Sequence, residues 1–221
     1  MIIAIDGPAG AGKSTVARIL AQKLGFLYID TGAMYRALTL KVLEEKIDIK
    51  DTPKIIAIAS KTNIDLINNQ DRSLKVLLDE RDVSFQIREP LITKFVSDIA
   101  KIKGVREAML KLQRRFGERG NCVLDGRDIG TVVFPDANKK FYIDADFKER
   151  VRRRHKELND LGQNVTLSDV ESDLRNRDTI DSTRNVAPLK KADDAVYIDT
   201  TDMTIEEVVE RLLKEIKKDK R

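Results

Sequence analysis

The chain opens with an apolar run, Met1-Ile2-Ile3-Ala4-Ile5-Asp6, long enough for one buried strand. It then changes to a spacing of three and four residues at Val16, Ile19, Leu20 and Leu24. That change predicts a strand followed by a helix with one apolar face, stopped by Gly25. The alternation recurs along the chain. Phe26 to Ile29 reads as a short buried strand leading into a helix with Met34, Leu38 and Val42 on one face, and Asp51-Thr52-Pro53 starts a helix that runs to about Ser60. Asn121 to Asp125, Lys139 to Asp144 and Ala195 to Asp199 read as three more strands. The other predicted helices begin at Pro90 (Ile92, Phe95, Val96 and Ile99 inward) and after a separating Gly104 (Val105, Met109, Leu112 and Phe116 inward). A further helix turns Phe147, Val151, His155 and Leu158 inward. A short one is capped by Ser168-Asp169-Val170-Glu171, and a last one, with Ile205, Val208, Leu212 and Ile216 inward, is capped by Thr204 and Glu207. Five strands each leading into helical segments predict an α/β fold, a five-stranded parallel sheet covered by helices on both faces.

One stretch has a different period. From Asn63 to Glu89 the apolar positions recur every second residue, at Ile64 and Leu66, then Leu74, Val76 and Leu78, then Val83, Phe85 and Ile87, with a break at Asn68-Asn69-Gln70-Asp71. This predicts a small antiparallel insertion of about three strands, either a cap over a substrate or a surface decoration.

The turn after the first strand carries the chemistry. Gly7-Pro8-Ala9-Gly10-Ala11-Gly12-Lys13-Ser14 matches the phosphate-binding loop pattern in the strand-to-helix context that the pattern requires. Small residues let the backbone curl so that successive N–H groups face inward, and the following helix adds its positive end. Lys13 then reaches the outer phosphates, and the Ser14 hydroxyl is placed to ligate the magnesium that accompanies ATP or GTP. The strand ends beyond this loop are where open α/β sheets bind ligands. Thr31 and Arg36 stand there, as a ligand contact or else a helix cap and a surface charge, and so does Gly126-Arg127-Asp128-Ile129-Gly130, as a clamp or else an ordinary ion pair. Arg150, Arg152, Arg153 and Arg154 form either a solvated face or a basic lid over the triphosphate. Arg177 and Arg184, with Asp181 between them, point into one cleft if their segment turns over the site.

Composition narrows the classes without choosing a substrate. The 221 residues suffice for one well-buried core and not for two large domains. Net charge is only +4, better suited to small anionic substrates than to nucleic acid. One cysteine, Cys122, excludes an internal disulfide, and with His155 the only histidine no structural zinc site is expected. The apolar run at the N-terminus is too short for a signal or a membrane span, so a cytoplasmic protein without membrane or nucleic-acid partners is expected.

Taken together, these segments resemble the bacterial cytidylate kinases over essentially the whole chain. The likeness lies in the Gly7 to Ser14 loop, Asp30-Thr31-Gly32-Ala33-Met34-Tyr35-Arg36, Val105-Arg106-Glu107, Asp125-Gly126-Arg127-Asp128, Gly130-Thr131-Val132-Val133-Phe134-Pro135-Asp136 and Arg177 to Leu189. Thr31 departs from the serine common in that family but keeps the hydroxyl, and the Thr179-Ile180 and Ser182-Thr183 pairs are less charged than usual. The resemblance implies a single kinase domain over 1–221, with a core of 1–60 and 90–221, a monophosphate-binding insertion at about 63–89 and a mobile lid at about 150–165. It implies ATP as donor, Mg2+, and CMP and dCMP as acceptors; a monomer is expected. ATP would be held by Gly7, Pro8, Ala9, Gly10, Ala11, Gly12, Lys13, Ser14 and Thr15. Arg36, Arg127 and Arg184 would hold the acceptor phosphate, Ser97, Arg106 and Asp128 would read cytosine, and Thr31, Arg177 and Asp181 would contact the ribose. Lys13, Arg127, Arg184 and the lid residues Arg153 and Arg154 would neutralise charge during transfer. Two rivals remain: a kinase for another small acceptor, such as uridylate, adenylate or shikimate, and a switch or RNA-binding module using Arg150 to Arg154 and the tail Lys214 to Arg221.

Overall fold

The computed structural model describes residues 1–69 and 73–218. Gln70 and Asp71 of the expected turn, and the last three residues of the basic tail, lie outside the described residues.

The five expected strands form one parallel sheet: β1 (Ile2–Asp6), β2 (Leu27–Asp30), β6 (Cys122–Gly126), β7 (Lys139–Asp144) and β8 (Val196–Asp199), in the order β2-β6-β1-β7-β8. Alternation along the strands divides the core between the two faces. Ile3, Ile5, Val123, Phe141 and Ile143 face α1 (Lys13–Leu24) and α8 (Ile205–Lys218). Ala4, Ile29, Cys122 and Leu124 face the other side, where α2 (Thr31–Glu44), α3 (Thr52–Lys61), α4 (Pro90–Ala100) and α5 (Lys103–Glu118) pack. A third, smaller cluster joins Ala9 of the phosphate loop to Val151 of α6 (Phe147–Asp160) and to Val170 and Leu174 of α7 (Leu167–Thr183).

The insertion is a separate antiparallel sheet of β3 (Ile64–Asn68), β4 (Leu74–Leu78) and β5 (Arg81–Asp82). Its third strand is shorter than the period of two suggests. The Asp82 carboxylate accepts from the N–H and hydroxyl of Ser84, which turns the chain out of the ladder and into a 3-10 turn at Gln86–Arg88. Phe85 is therefore not a core residue but 87% exposed, beside the cleft described below.

Three local expectations are corrected. Gly104 does not separate α4 from α5; it lies inside α5, where an added Cβ would come within 2.8 Å of Ile56, so it is the close approach of α3 and α5 that needs glycine. The capping box of α7 is formed by Thr166 and Asp169 rather than Ser168 and Glu171. That helix is also long, at 17 residues, so Arg177 and Asp181 sit on its last turns and Arg184 is its C-cap.

Candidate active site

The five parallel strands end at one rim, and the phosphate loop fills its centre. Gly7 leaves β1 at φ 149°, and a Cβ there would lie 1.9 Å from the Ile143 carbonyl oxygen, so only glycine lets the loop pass β7. Lys13 is buried and donates to the Pro8 carbonyl at 2.5 Å, closing the loop on itself. Burial, joined by the charge of Arg127, pushes its amine down to about 7 against the pull of Asp125, Asp6 and Asp181. Ser14 donates to Asp125 Oδ2 at 2.7 Å, and the Tyr28 hydroxyl donates to Asp125 Oδ1 at 2.9 Å. Burial and nearby Asp30 raise the Asp125 carboxyl to about 6. The loop is also braced from above: Arg150 donates to Ala9 O at 3.0 Å and to Asp178 Oδ2 at 2.5 Å, while Asp178 Oδ1 accepts from the Ala9 N–H. Arg150 is thus a buried strut and does not share the solvated face of Arg152, Arg153 and Arg154 expected from the sequence.

Beside the loop lies a cleft of about 1390 Å³ that reaches from the phosphate loop to the insertion and the start of α8. Every residue nominated from the sequence as a phosphate-loop, substrate or catalytic contact lines it except Gly7 and Pro8, the first two residues of the loop, and of the expected basic lid Arg150 does not. Along the same cleft, close enough for Arg127 and Asp181 to act on Lys13 by charge, lies a buried network of acids and arginines. Arg106 forms an ion pair with Asp128, both under 9% exposed, donates to Ala100 O, and stands 5.5 Å from the centre of the Tyr35 ring. Arg184 joins Asp181 at 3.1 Å and approaches Asp128 at 3.6 Å, and Arg127 donates to the other Asp181 oxygen at 2.9 Å. Arg36 is held 3.1 Å from Asp30, which itself caps α2 by accepting from the Ala33 N–H. Thr31 leaves the capping to Asp30 and donates to the Asp125 carbonyl at 2.6 Å. Ser97 is buried on the cleft wall, and Arg177 approaches Asp173 at 3.6 Å.

Among the described residues, three buried guanidinium nitrogens on this cleft lack a hydrogen-bond partner: Arg106 Nε, Arg177 Nε and Arg184 Nη2. Burial works against the charge of Arg177 and Arg184, and so does a neighbouring arginine in each case. Buried cations with spare donors at the edge of a phosphate loop make a receptor for an anion. Arg153 and Arg154 sit on the third wall. Arg153 is tied to Glu149 and to the Thr200 carbonyl, and Arg154 pairs with Glu157 at 2.9 Å. His155 is half-buried, with Nε2 3.1 Å from the Val165 carbonyl, and touches none of the cleft.

A phosphate loop at the head of a parallel sheet, facing a second anion receptor across one cleft, defines a P-loop kinase of small molecules. The backbone is shared with solved structures at low identity, including a shikimate kinase from Acinetobacter baumannii (18% identical, TM-score 0.50, covering 99% of this chain and 94% of that one). Another is an uncharacterized protein from Eubacterium ventriosum (14%, TM-score 0.54, 98% of each chain); these likenesses speak to the fold. The family model for cytidylate kinase matches residues 3–218. The chain is 52% identical to the cytidylate kinase of Caldanaerobacter subterraneus, over 98% of this chain and 94% of that protein, and 50% identical to that of Clostridioides difficile, over 98% of each. It belongs to the cytidylate kinase family, and with it to the nucleoside monophosphate kinases.

Some residues of the site were not nominated from the sequence. Asp125 was read only as part of a motif, yet it joins Ser14, Tyr28 and Thr31; a carboxylate closing an apolar strand was the available signal. The Arg150–Asp178 brace joins residues 28 apart whose contact no local pattern encodes.

Proposed function

We propose that the chain transfers the γ-phosphoryl group of ATP directly, in line, to the α-phosphate of CMP or dCMP. The observation that carries this reading is the buried Arg106–Asp128 pair, which faces the cleft together with Arg184 opposite the phosphate loop. A carboxylate there accepts from the exocyclic amine of cytosine, whereas uracil turns an oxygen toward it and leaves it facing a lone pair. Arg36, Arg127 and Arg184 supply forked donors for the acceptor phosphate, and Thr31, Arg177 and Asp181 would contact the ribose. A monophosphate is already a nucleophile at neutral pH, so transfer needs alignment and charge neutralisation rather than a base.

The donors at the loop fit Mg2+: the Ser14 hydroxyl and the Asp125 carboxylate are hard oxygens 2.7 Å apart, and magnesium is commonly held by one or two protein oxygens with the substrate phosphates completing the shell. Bound there, the ion would neutralise charge on the transferring phosphate. Lys13 supplies a point charge at the same phosphates, and Arg153 and Arg154 add theirs from α6 as the 150–165 segment and the 63–89 insertion close over the substrates. The protein works as a monomer in the cytoplasm. The test is ADP formation from ATP and Mg2+ with CMP, dCMP, UMP, AMP or shikimate as acceptor. Strong turnover with CMP and dCMP and weak turnover with UMP is expected. Equal CMP and UMP rates would overturn the base-reading step, and no acceptor-dependent turnover would overturn the reading as a whole.

A further inference from the structure

The last residue of β1 is an enclosed carboxylate that takes no part in the chemistry above. Asp6 is 4% exposed, and both of its oxygens serve one target: Oδ1 accepts from the Ile129 N–H at 2.8 Å and Oδ2 from the Gly130 N–H at 2.7 Å. Those amides open the π-helical turn Ile129–Val133, and first-turn amides have no partner inside their own helix. The residue immediately before that turn is Asp128, whose backbone (φ −145°, ψ 23°) is neither strand nor helix. Its carbonyl is tied into the turn, accepting from the Val132 and Val133 N–H groups at 2.9 and 3.1 Å, so the position of that turn sets how far Asp128 stands out toward Arg106.

On its other side Asp6 is bonded to Gly7, where the phosphate loop is pressed against Ile143. One residue at the centre of the sheet thus holds the first residue of the donor loop by its backbone and the base-facing turn by its side chain. The groups around it are few. Asp128 and Lys13 act on it by charge, and the stem of Lys140 on β7 lies across Gly130, where an added Cβ would be 3.1 Å from it. Burial pushes the Asp6 carboxyl up to about 7 in spite of its two amide bonds, so the anchor is kept at a cost in desolvation.

We propose that Asp6 is a positioning residue for acceptor-base recognition: its carboxylate, by holding the Ile129 and Gly130 amides, sets the reach of Asp128 into the cleft and keeps it in register with the phosphate loop. This rests on the reading of Asp128 as the residue that faces the base.

The experiment is steady-state kinetics of Asp6→Asn with ATP, CMP and UMP, alongside thermal melting. Asparagine keeps the volume and one acceptor but turns an amine toward the second amide. KM for CMP should rise about tenfold, as for one hydrogen bond lost at a buried partner, with the preference for CMP over UMP falling in proportion and KM for ATP within about twofold. Gly130→Ala disturbs the anchored amide from the opposite side, since its Cβ would press on the Lys140 stem at 3.1 Å while only touching Asp6 Oδ2 at 3.4 Å, and should give the same pattern more weakly. If Asp6→Asn does not fold, Gly130→Ala decides by the same criteria. An unchanged KM for CMP and unchanged base preference in folded protein would overturn the proposal. So would equal rises in both KM values with a lower melting temperature, the signature of a general brace. Asp128→Ala, run in parallel, separates the two levels. If it loses base preference while Asp6→Asn keeps it, only the role of Asp6 falls. If Asp128→Ala keeps its preference, the reading of Asp128 falls and the role of Asp6 with it.

Discussion

Replacing Asp128 with alanine tests both the stability and the specificity of the site. The side chain is 8% exposed and is the ion-pair partner of Arg106, itself 6% exposed; Arg184 stands 3.6 Å away and has Asp181 as a second acid. The loss therefore falls mainly on Arg106, which would keep only the Ala100 carbonyl and the Tyr35 ring. Removing one partner of a buried pair costs about 3–5 kcal/mol. In a chain of this size each kcal/mol lowers the melting temperature by about 2–4 °C, so a drop of at least about 6 °C is expected. The specificity term is separate. A hydrogen bond to a charged acceptor is worth about 1.5–3 kcal/mol, which puts the loss of CMP-over-UMP preference at about 10- to 150-fold. The assay is kcat/KM for CMP and UMP, and KM for ATP, measured well below the melting temperature. Asp128→Asn, which keeps size but not charge, should fall between wild type and alanine on both scales. A folded Asp128→Ala protein whose CMP:UMP ratio stays within twofold of wild type would refute the assignment of Asp128 to the base, whatever happened to its stability.

Lys13→Ala should abolish turnover while leaving the circular dichroism spectrum unchanged and the melting temperature within about 4 °C, because burial already disfavours the charged amine; wild-type activity would remove the loop from the mechanism. Asp181 is held below the usual carboxylate range: burial raises it, but Arg127, Arg184 and Arg177 together outweigh that. Its contribution to stability is fully present above the unfolded value of about 3.9 and is lost as pH falls through the lower folded value, so melting temperatures below pH 4 should fall more steeply in wild type than in Asp181→Asn. Parallel curves would show that Asp181 is not the linked group. Hydrogen exchange over 63–89 and 150–165 should slow when a bisubstrate analogue joining adenosine and cytidine phosphates is bound, and identical exchange with and without it would count against closure of these segments.

The parallel sheet was legible because its strands are short apolar runs ending in Asp or Gly, each followed by a change to helical spacing, and the phosphate loop because its small residues sit between two such elements. What the sequence concealed was set by tertiary contact. Gly104 has the character of a breaker until Ile56 is placed against it, and Phe85 has the character of a strand residue until the Asp82–Ser84 turn is seen to end the ladder. Arg150 is separated from Arg152 by one position, which on a helix is enough to turn one arginine into the core and leave the next in solvent. Within the acceptor wall the residue types were visible, but their pairing was not. Asp181 bridges Arg127 and Arg184 only because α7 extends without interruption to Thr183, a length hidden by its weak apolar period.

That pairing bears on how the site would bind an anion. Arg36, Arg106, Arg127 and Arg184 each already meet an acid: Asp30, Asp128 and, for the last two, Asp181. An incoming phosphate competes with those carboxylates and so gains less attraction than four unpaired cations would offer. In return, the guanidinium forks are oriented before the encounter, and little rotamer entropy remains to be lost on binding. Such an arrangement favours discrimination over affinity, since a ligand is held well only if it satisfies the spare nitrogens of Arg106, Arg177 and Arg184 without stranding Asp128 or Asp181. On the proposed reading, inorganic phosphate would meet Arg184 but would have nothing for Asp128. On the same reading, a cytidine monophosphate would offer its phosphate to Arg184 and its amine to Asp128.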